Sequence, residues 1–315
     1  MKPSASSNML PPKAKPLNSS HSFFTLGRSV VGTTCLEPHL RVIDSRSDVT
    51  GATVGEVSEL NSPYPPGTPA WVDMMTTDRR ATMDFYGGLF GWDFEIGGPE
   101  TGHYTMALVR GLPVAGFGEM PSDVMFPVVW TTYLATDDLD ESVEKLNANG
   151  GKVLVPEFDT GGPGRGAIAV DPYGAAFGLW EAGTHIGAYV VNEPGSVVWN
   201  ELATRDAFGA AEFYQQVFGV GLDPLPDFPY TQLRVEGRAV AGVFGMANEI
   251  PAEIPPHWMT YFAVTDADAA ARRVAELGGV TVGDVVESRF GRFTTAGDPM
   301  GATFRVIQSP PSTPD

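Results

Sequence analysis

The sequence predicts an α+β protein of two tandem domains, in each of which two βαβββ modules form an open curved sheet with helices on its convex side. Two observations predict this class: a long internal repeat, and an order of strands and helices that restarts within each repeat. The segment 71–78 (WVDMMTTD) reappears as 199–206 (WNELATRD), and in both copies Phe-Tyr and Phe-Gly pairs follow at the same distances. The offset is 128 residues. A period this long marks duplicated domains, because solenoid repeats run to about 20–50 residues.

The repeat continues through most of the chain and sets the expected domain boundaries. The segment 130–133 (WTTY) matches 258–261 (WMTY) at the same offset, and the turn Asp-Pro-x-Gly at 171–174 matches 298–301 with one residue fewer between them. Three parts of the chain are therefore expected: a mostly disordered extension and linker (1–65), a first domain (66–186) and a second domain (190–310).

Each module is expected to begin with a strand and an aspartate-capped helix, and to continue with three short strands. In the first module a strand leads to Asp78, a residue type that favours the helix N-cap, and Phe85 and Leu89 then lie on one helix face at a spacing of four. Gly or Pro residues bound the strand-like runs. The elements predicted for the first domain are strands at 70–76, 92–96, 104–109, 114–119, 128–135, 152–155, 166–170 and 175–181, and helices at 78–91 and 137–149. The second domain repeats this order, with helices near 206–218 and 266–277.

Composition and charge restrict the partners. A hydrophobic content of 43% and a charged content of 18% are typical of a globular protein. The net charge of −18 repels nucleic-acid phosphates and anionic lipids, so neither a nucleic acid nor a membrane is expected as a partner. No secretory signal or apolar run of about 20 residues is evident, and the single cysteine, Cys35, excludes an intrachain disulfide. We expect a cytoplasmic monomer or homodimer whose partner is a small molecule.

The repeated motifs resemble those of a known superfamily. The paired βαβββ modules, the strand–Asp–helix–Phe-Tyr–Phe-Gly signature and the Asp-Pro-x-Gly turn before the last strand are similar to the vicinal oxygen chelate superfamily. This superfamily includes glyoxalase I, extradiol dioxygenases, and fosfomycin- and bleomycin-resistance proteins. The resemblance covers residues from about 66 to 310, and the tandem form looks like the two-domain actinobacterial glyoxalase-like proteins. Function does not follow from this fold, because the superfamily hosts isomerases, oxygenases, transferases and pure binders.

The resemblance implies a divalent metal held by His, Gln or Glu side chains, but the corresponding positions here do not carry them. The positions on the first, fifth and eighth strands are Trp71, Thr131 and Gly178 in the first domain, and Trp199, Met259 and Arg305 in the second. None of these is a usual metal ligand, so we expect neither a metal nor another cofactor. Of the histidines, only His103 and His257 are expected near a cleft, as loop residues, whereas His185 falls in the interdomain connection.

Strand alternation predicts which side chains face the concave side of each sheet. In the first domain they are Trp71, Asp73, Thr131, Tyr133 and Trp180, and in the second Trp199, Glu201, Met259, Tyr261 and Arg305. Aromatic walls around a carboxylate suit a flat or cationic organic ligand. Alternatively, Trp71 and Trp199 are structural rings that fill the interior. The carboxylate is a general base, a cation receptor, or a hydrogen-bond partner of Thr132 or Tyr133.

A glycine-rich loop at 160–166 (TGGPGRG) lacks the ending of a phosphate-binding loop and precedes a strand. We interpret it as a lid over the cleft mouth. Its Arg165, with the repeat partner Arg292, is either a contact for an anionic group or simply exposed.

Three functions remain open. The first is a metal-independent, small-molecule-binding glyoxalase-like protein that binds or sequesters an aromatic metabolite or antibiotic, in the manner of bleomycin-resistance proteins. The alternative is a lyase, isomerase or oxygenase of the same superfamily acting on a small organic substrate, which without a metal would depend on a pair such as Asp73 and Tyr133. The third is a regulatory or scaffold protein.

Overall fold

Two eight-stranded mixed sheets and four α-helices account for the regular structure of the residues that the computed structural model describes, which are 59–123, 126–226, 228–248 and 250–309. The predicted extension lies outside the described residues up to position 58. Within the described ranges, no helix is both long and apolar enough to cross a membrane.

The first sheet contains two modules that meet at its centre. The elements of the first module are β1 (Pro69–Thr76), α1 (Arg79–Phe90), β2 (Asp93–Ile96), β3 (Thr105–Val109) and β4 (Leu112–Glu119). Those of the second are β5 (Trp130–Thr136), α2 (Leu139–Ala148), β6 (Lys152–Asp159), β7 (Gly164–Val170) and β8 (Ala176–Ala182). The strand order is β2-β3-β4-β1-β5-β8-β7-β6. Antiparallel pairing of β1 with β5 joins the modules, and within each module the first strand runs parallel to the last.

The second sheet repeats this plan. Its elements are β9 (Val197–Thr204), α3 (Ala207–Phe218), β10 (Gly221–Pro224), β11 (Tyr230–Val235), β12 (Arg238–Gly245), β13 (His257–Ala263), α4 (Ala267–Glu276), β14 (Val280–Ser288), β15 (Gly291–Gly297) and β16 (Thr303–Gln308). The order β10-β11-β12-β9-β13-β16-β15-β14 is that of the first sheet strand for strand. The predicted fold class is confirmed.

The repeated aspartates of the sequence begin the helices. The side chains of Asp78, Asp138, Asp206 and Asp266 each accept a hydrogen bond of 2.9 Å from the backbone N–H three residues further on. Such a bond satisfies one of the donors that a helix N-terminus leaves free. Gly91 and Gly219 end α1 and α3 in the left-handed conformation, with φ of 72° in both.

The helix-bearing convex faces of the two sheets pack against each other. One core joins the first module to the fourth, with Phe85 and Tyr86 of α1 against Phe262 and Phe304. The other core joins the second module to the third in the same way. Helix α1 packs on α4, and α2 on α3. The two concave faces therefore point away from each other.

Two reciprocal hydrogen bonds cross between the sheets and account for the repeated Phe-Tyr and Asp-Pro-x-Gly motifs. The hydroxyl of Tyr86 donates to Oδ2 of Asp298 at 3.1 Å, and that of Tyr214 donates to Oδ2 of Asp171 at 3.1 Å. The indole of Trp130 in turn donates to Tyr86 at 2.9 Å. The other oxygen of each aspartate accepts two backbone N–H bonds in its own turn. Each Asp-Pro-x-Gly turn is thus fixed by a tyrosine of the opposite sheet.

We expect Tyr86→Phe to lower the free energy of unfolding by about 1–3 kcal/mol, because it leaves the buried Asp298 carboxyl and the Trp130 N–H without this partner. Urea denaturation measures the loss. Tyr189→Phe is the control, since its hydroxyl makes only a surface bond to the Thr184 carbonyl. Equal effects of the two substitutions would contradict the interlocking role of Tyr86.

Candidate functional site

The first concave face brings together the side chains that the sequence places there. Trp71 pairs with Tyr133, Tyr133 with Gly178, and Asp73 with Thr131 across adjacent strands. Trp71, Tyr133 and Trp180 pack in one cluster and are only 5%, 7% and 7% exposed. We call this set, with Asp73 and Thr131, the first concave cluster. Its rings fill much of the curved face, as the structural alternative for Trp71 predicts.

Tyr104 completes this cluster and was not predicted. Its hydroxyl accepts a hydrogen bond from the Trp71 indole at 3.0 Å and donates to Oδ2 of Asp73 at 3.1 Å. The second sheet contains the same indole-to-phenol bond, from Trp199 to Tyr230, at 2.8 Å. A Tyr-Thr dipeptide, which spans the start of β3 and opens β11, is the signal that identifies these residues.

Two glycines make room for these phenols. A Cβ atom added at Gly116 would overlap the hydroxyl of Tyr104, and one at Gly242 would overlap that of Tyr230. Gly116 is the β4 residue paired with Asp73. A side chain on this strand would therefore displace the phenol from the carboxylate.

Asp73 is the chemically distinctive group of the first concave cluster. Its Oδ2 also accepts a hydrogen bond from the Tyr133 hydroxyl at 3.3 Å, so the predicted bond to Tyr133 is present. Thr132 instead lies on the other face, bonded to Asn200. Burial raises the pKa of Asp73 to about 7, and the bonds from Tyr104 and Tyr133 oppose the rise. No described Lys, Arg or His forms an ion pair with this carboxyl.

His185 belongs beside this cluster, although the sequence indicates only a position in the interdomain connection. Its ring packs edge-on against Trp71 with centroids 4.5 Å apart, and its carbonyl accepts the indole N–H of Trp180 at 2.9 Å. Burial lowers the pKa of His185 to about 4, so the ring is neutral at pH 7. Its Nε2 is buried without a hydrogen-bond partner in the described structure. His103 and His257, by contrast, each bond to a nearby backbone carbonyl.

The connection after β8 covers one end of the first concave cluster. Ala188 packs among its rings, and the backbone N–H of Ala188 donates to the Ala70 carbonyl at 2.8 Å. The glycine-rich loop predicted as a lid is bonded to this connection, through the N–H groups of Gly183 and His185, both to the Pro163 carbonyl. The side chain of Arg165 forms ion pairs with Asp140, Glu157 and Glu181. Likewise, Arg292 pairs with Asp268 and Glu287. Both arginines are thus paired with carboxylates of the protein itself.

The second concave face has the same plan but neutralises its own charge. Glu201 is 8% exposed, and its Oε1 accepts hydrogen bonds from the Tyr261 hydroxyl at 2.9 Å and from Nη1 of Arg305 at 3.0 Å. The guanidinium of Arg305 lies 5.0 Å from the ring centroid of Tyr261 and 5.2 Å from that of Phe293. Glu201, Tyr261, Arg305 and Phe293, with Trp199 and Met259, form what we call the second concave cluster.

Surface depressions also occur away from both clusters. One of about 550 Å³ lies near Phe218 and Arg234, and another of about 470 Å³ near Arg79 and Ile96. Asp73, Thr131, Met106 and Ile168 are among the partly exposed side chains at the first concave cluster. We call these four residues the accessible floor of that face.

The sequence and the fold are similar to those of known proteins. Residues 68–179 match the family described as Glyoxalase/Bleomycin resistance protein/Dioxygenase superfamily, and 197–307 match a Glyoxalase-like domain. "Putative glyoxylase CFP32" of Mycobacterium tuberculosis is 41% identical over 257 residues, covering 79% of this chain and 98% of that protein. The chain belongs to the Glyoxalase/Bleomycin resistance protein/Dioxygenase superfamily.

One further protein is similar in sequence, and one solved structure is similar in fold. "Anthracycline biosynthesis protein DnrV" of Streptomyces peucetius is 37% identical, covering 78% of this chain and 94% of that protein. The Mn(II)-bound glyoxalase from Novosphingobium aromaticivorans has a similar fold, with a TM-score of 0.55, at 17% identity over 80% of this chain and 83% of that one. The last similarity concerns the fold alone.

The side chains of this superfamily member do not fit the divalent metal that its fold implies. Trp71, Thr131 and Gly178 supply no imidazole or carboxylate to the first concave face, and Arg305 brings a positive charge to the second. In the part of the chain that the structure describes, no three His, Cys, Asp or Glu side chains are grouped to hold a metal ion. The donor chemistry of both faces is that of aromatic rings, hydroxyls and a carboxyl group.

The raised pKa of Asp73 makes stability depend on pH with a definite sign. Between about pH 4 and pH 7 the folded state holds a proton that the unfolded state has released, so stability falls as the pH rises through this range. We expect Asp73→Asn to raise the free energy of unfolding above pH 7 by roughly 2–4 kcal/mol, at about 1.4 kcal/mol per pKa unit. The gain should vanish below pH 4.

Chemical denaturation at several pH values tests this expectation. Asp93→Asn, on the exposed surface of β2, controls for the loss of one negative charge. A loss of stability in Asp73→Asn at pH 8 would show that the ionised carboxyl is stabilising, contrary to the account.

Proposed function

We propose that this protein is a metal-independent, glyoxalase-like binder of a small aromatic molecule, and that the ligand docks on the accessible floor of the first concave cluster. The observation that carries the proposal is the carboxyl group of Asp73, enclosed by aromatic side chains at the place where the superfamily usually holds a metal. Side chains that only fill space would gain no stability from a half-buried carboxyl whose ionisation costs free energy.

The chemistry of the floor supports a flat organic ligand. Met106 and Ile168 offer apolar contact area, and they pack against the cluster that contains Trp71 and Tyr133. The partly exposed Asp73 and Thr131 add polar groups that orient a ligand.

The relatives support an aromatic ligand class. One relative, covered over 94% of its length, is named an anthracycline biosynthesis protein. Anthracyclines are flat, polycyclic aromatic compounds, of the shape that the floor of the first concave cluster would accept. We extend this ligand class to the present chain as part of the proposal.

A second candidate function is that of a lyase or isomerase that moves a proton. The pKa of Asp73 near 7 favours it, since a general base works best when its pKa lies near the working pH. In an α-hydroxy carbonyl substrate, the carboxylate would take the proton from the hydroxyl-bearing carbon and return it to the former carbonyl carbon. The hydroxyl proton would pass to the former carbonyl oxygen, so this isomerisation requires no co-reactant. Deuterium uptake from D₂O into a bound carbonyl compound, lost in Asp73→Asn, distinguishes this enzyme from a binder.

We expect a hydroxylated anthraquinone to quench the tryptophan fluorescence of the protein saturably, with a Kd in about the micromolar range. Treatment with EDTA should leave the affinity unchanged. Truncation of Trp71 is a poor probe, because removing a buried indole costs about 3–5 kcal/mol of stability. Thr131→Phe instead fills the floor with a new ring and should weaken binding at least tenfold.

Met259→Phe is the matched control, because Met259 occupies the place of Thr131 in the second sheet. It should leave the affinity as it is. The absence of saturable quenching, or a loss of binding on EDTA treatment, would overturn the proposal. Equal effects of the two substitutions would move the ligand away from the first concave cluster.

A further inference from the structure

The second concave cluster shows which group pairs with a carboxylate that lies among aromatic rings. There, the guanidinium of Arg305 binds Glu201 and the Tyr261 hydroxyl, and lies over the rings of Tyr261 and Phe293. A cation held by a carboxylate and by ring faces is stabilised by both the opposite charge and the negative face of each ring. The protein itself supplies the cation on this side.

The first concave cluster has the same carboxylate and phenols without that cation. Asp73 pairs across the sheet with Thr131 as Glu201 does with Met259, and Tyr133 pairs with Gly178 as Tyr261 does with Arg305. The arginine of the second sheet is thus replaced by a glycine in the first. No described cationic side chain takes its place beside Asp73.

Gly178 keeps the protein from supplying a cation of its own at this point. A Cβ atom added there would overlap the ring of Tyr133, which lies across the glycine. With no cation beside it among the described residues, the carboxyl is neutralised by a proton or by a group from outside the described part of the chain. Oδ2 of Asp73 is already bonded to Tyr104 and Tyr133, whereas Oδ1 accepts no hydrogen bond from the described residues.

We propose that the first concave cluster is a receptor for an organic cation, so that a guanidinium or ammonium group of the ligand binds Asp73 as Arg305 binds Glu201. This inference rests on the proposed function, since it concerns the same face. It specifies in addition that the ligand carries a positive charge. The aromatic part of the ligand lies against Met106 and Ile168, and its cationic group lies at Oδ1 of Asp73, the oxygen that the two phenols leave unbonded.

The charged and titratable groups around Asp73 make the binding pH-dependent. Tyr104 faces it from β3 and Tyr133 from β5, and burial raises the pKa of both phenols well above 10, so they stay protonated. His185 lies behind Trp71 and is neutral at pH 7. Of these four groups, Asp73 is the one that changes its charge near neutral pH, and a cation binds its ionised form. Affinity should therefore rise as the pH rises through about 7.

The test uses N-methylguanidinium as the probe, titrated into the full-length protein and followed by calorimetry and by thermal shift. We expect one saturable site at pH 8, with affinity at least tenfold lower at pH 5.5 and in Asp73→Asn. The uncharged N-methylurea should not bind. Glu201→Gln, the equivalent change in the second sheet, should leave this site intact.

A second variant tests the internal comparison. Arg305→Gly gives the second sheet the glycine of the first, and it should bind a second equivalent of N-methylguanidinium that raises its midpoint of unfolding more than that of the unchanged protein. If this variant does not fold, the pH series and Asp73→Asn still decide the question. Binding of N-methylguanidinium that is the same at both pH values and in Asp73→Asn overturns the inference.

The two proposals fail in different ways. Saturable binding of the neutral anthraquinone without any binding of N-methylguanidinium overturns the cation receptor and leaves the aromatic binder standing. Binding of the cation without any aromatic ligand overturns the proposed function, because the face would then recognise charge alone.

Discussion

The packing of the two convex faces against each other is the constraint on which the rest of the structure depends. It is held by the reciprocal bonds from Tyr86 to Asp298 and from Tyr214 to Asp171, with two aromatic cores around them. Each bond joins the helix of one sheet to the turn before the last strand of the other. Because the helix-bearing sides are buried in this interface, the two concave faces point outward. The side chains of each concave face therefore find their partners within their own sheet and the segments next to it.

The two outward faces have diverged at the same structural position. Both retain a tryptophan bonded to a phenol, and a carboxylate bonded to a second phenol. Arg305 neutralises the carboxylate of Glu201 on one face. On the other face a glycine, Gly178, stands at the equivalent position, and Asp73 has only phenols as described partners. Burying an ionised carboxyl without a cation is unfavourable, so the two copies differ in charge balance: Glu201 is paired with Arg305, and burial raises the pKa of Asp73.

The sequence was sufficient for the fold and for the composition of each face. The 128-residue repeat and its Asp-capped helices indicated two equivalent sheets, and strand alternation brought Trp71, Asp73 and Tyr133 to one side. It was not sufficient for Tyr104. A tyrosine that comes just before a strand lies outside the alternation of the strand, so the sequence did not show that its hydroxyl bonds to Asp73. His185 was missed because the path of a connection over a sheet is fixed by backbone bonds, such as that from Ala188 to Ala70, which leave no sequence pattern. Strand alternation also identifies the two faces of a sheet without showing which face meets the other sheet, and that was known only from the two shared cores.

The titration of Asp73 measures the central claim most directly. The aspartates are labelled with ¹³C, and the Asp73 signal is assigned with the Asp73→Asn variant. The pH dependence of the carboxyl carbon shift in NMR spectra then gives the pKa of the Asp73 carboxyl group. The account predicts a pKa of about 7, against 3.8 for an ordinary aspartate, and a lower value once N-methylguanidinium is bound. A pKa near 4 in the free protein would contradict it, because the carboxyl would then be as well stabilised as one in water and would need no cation to complete it.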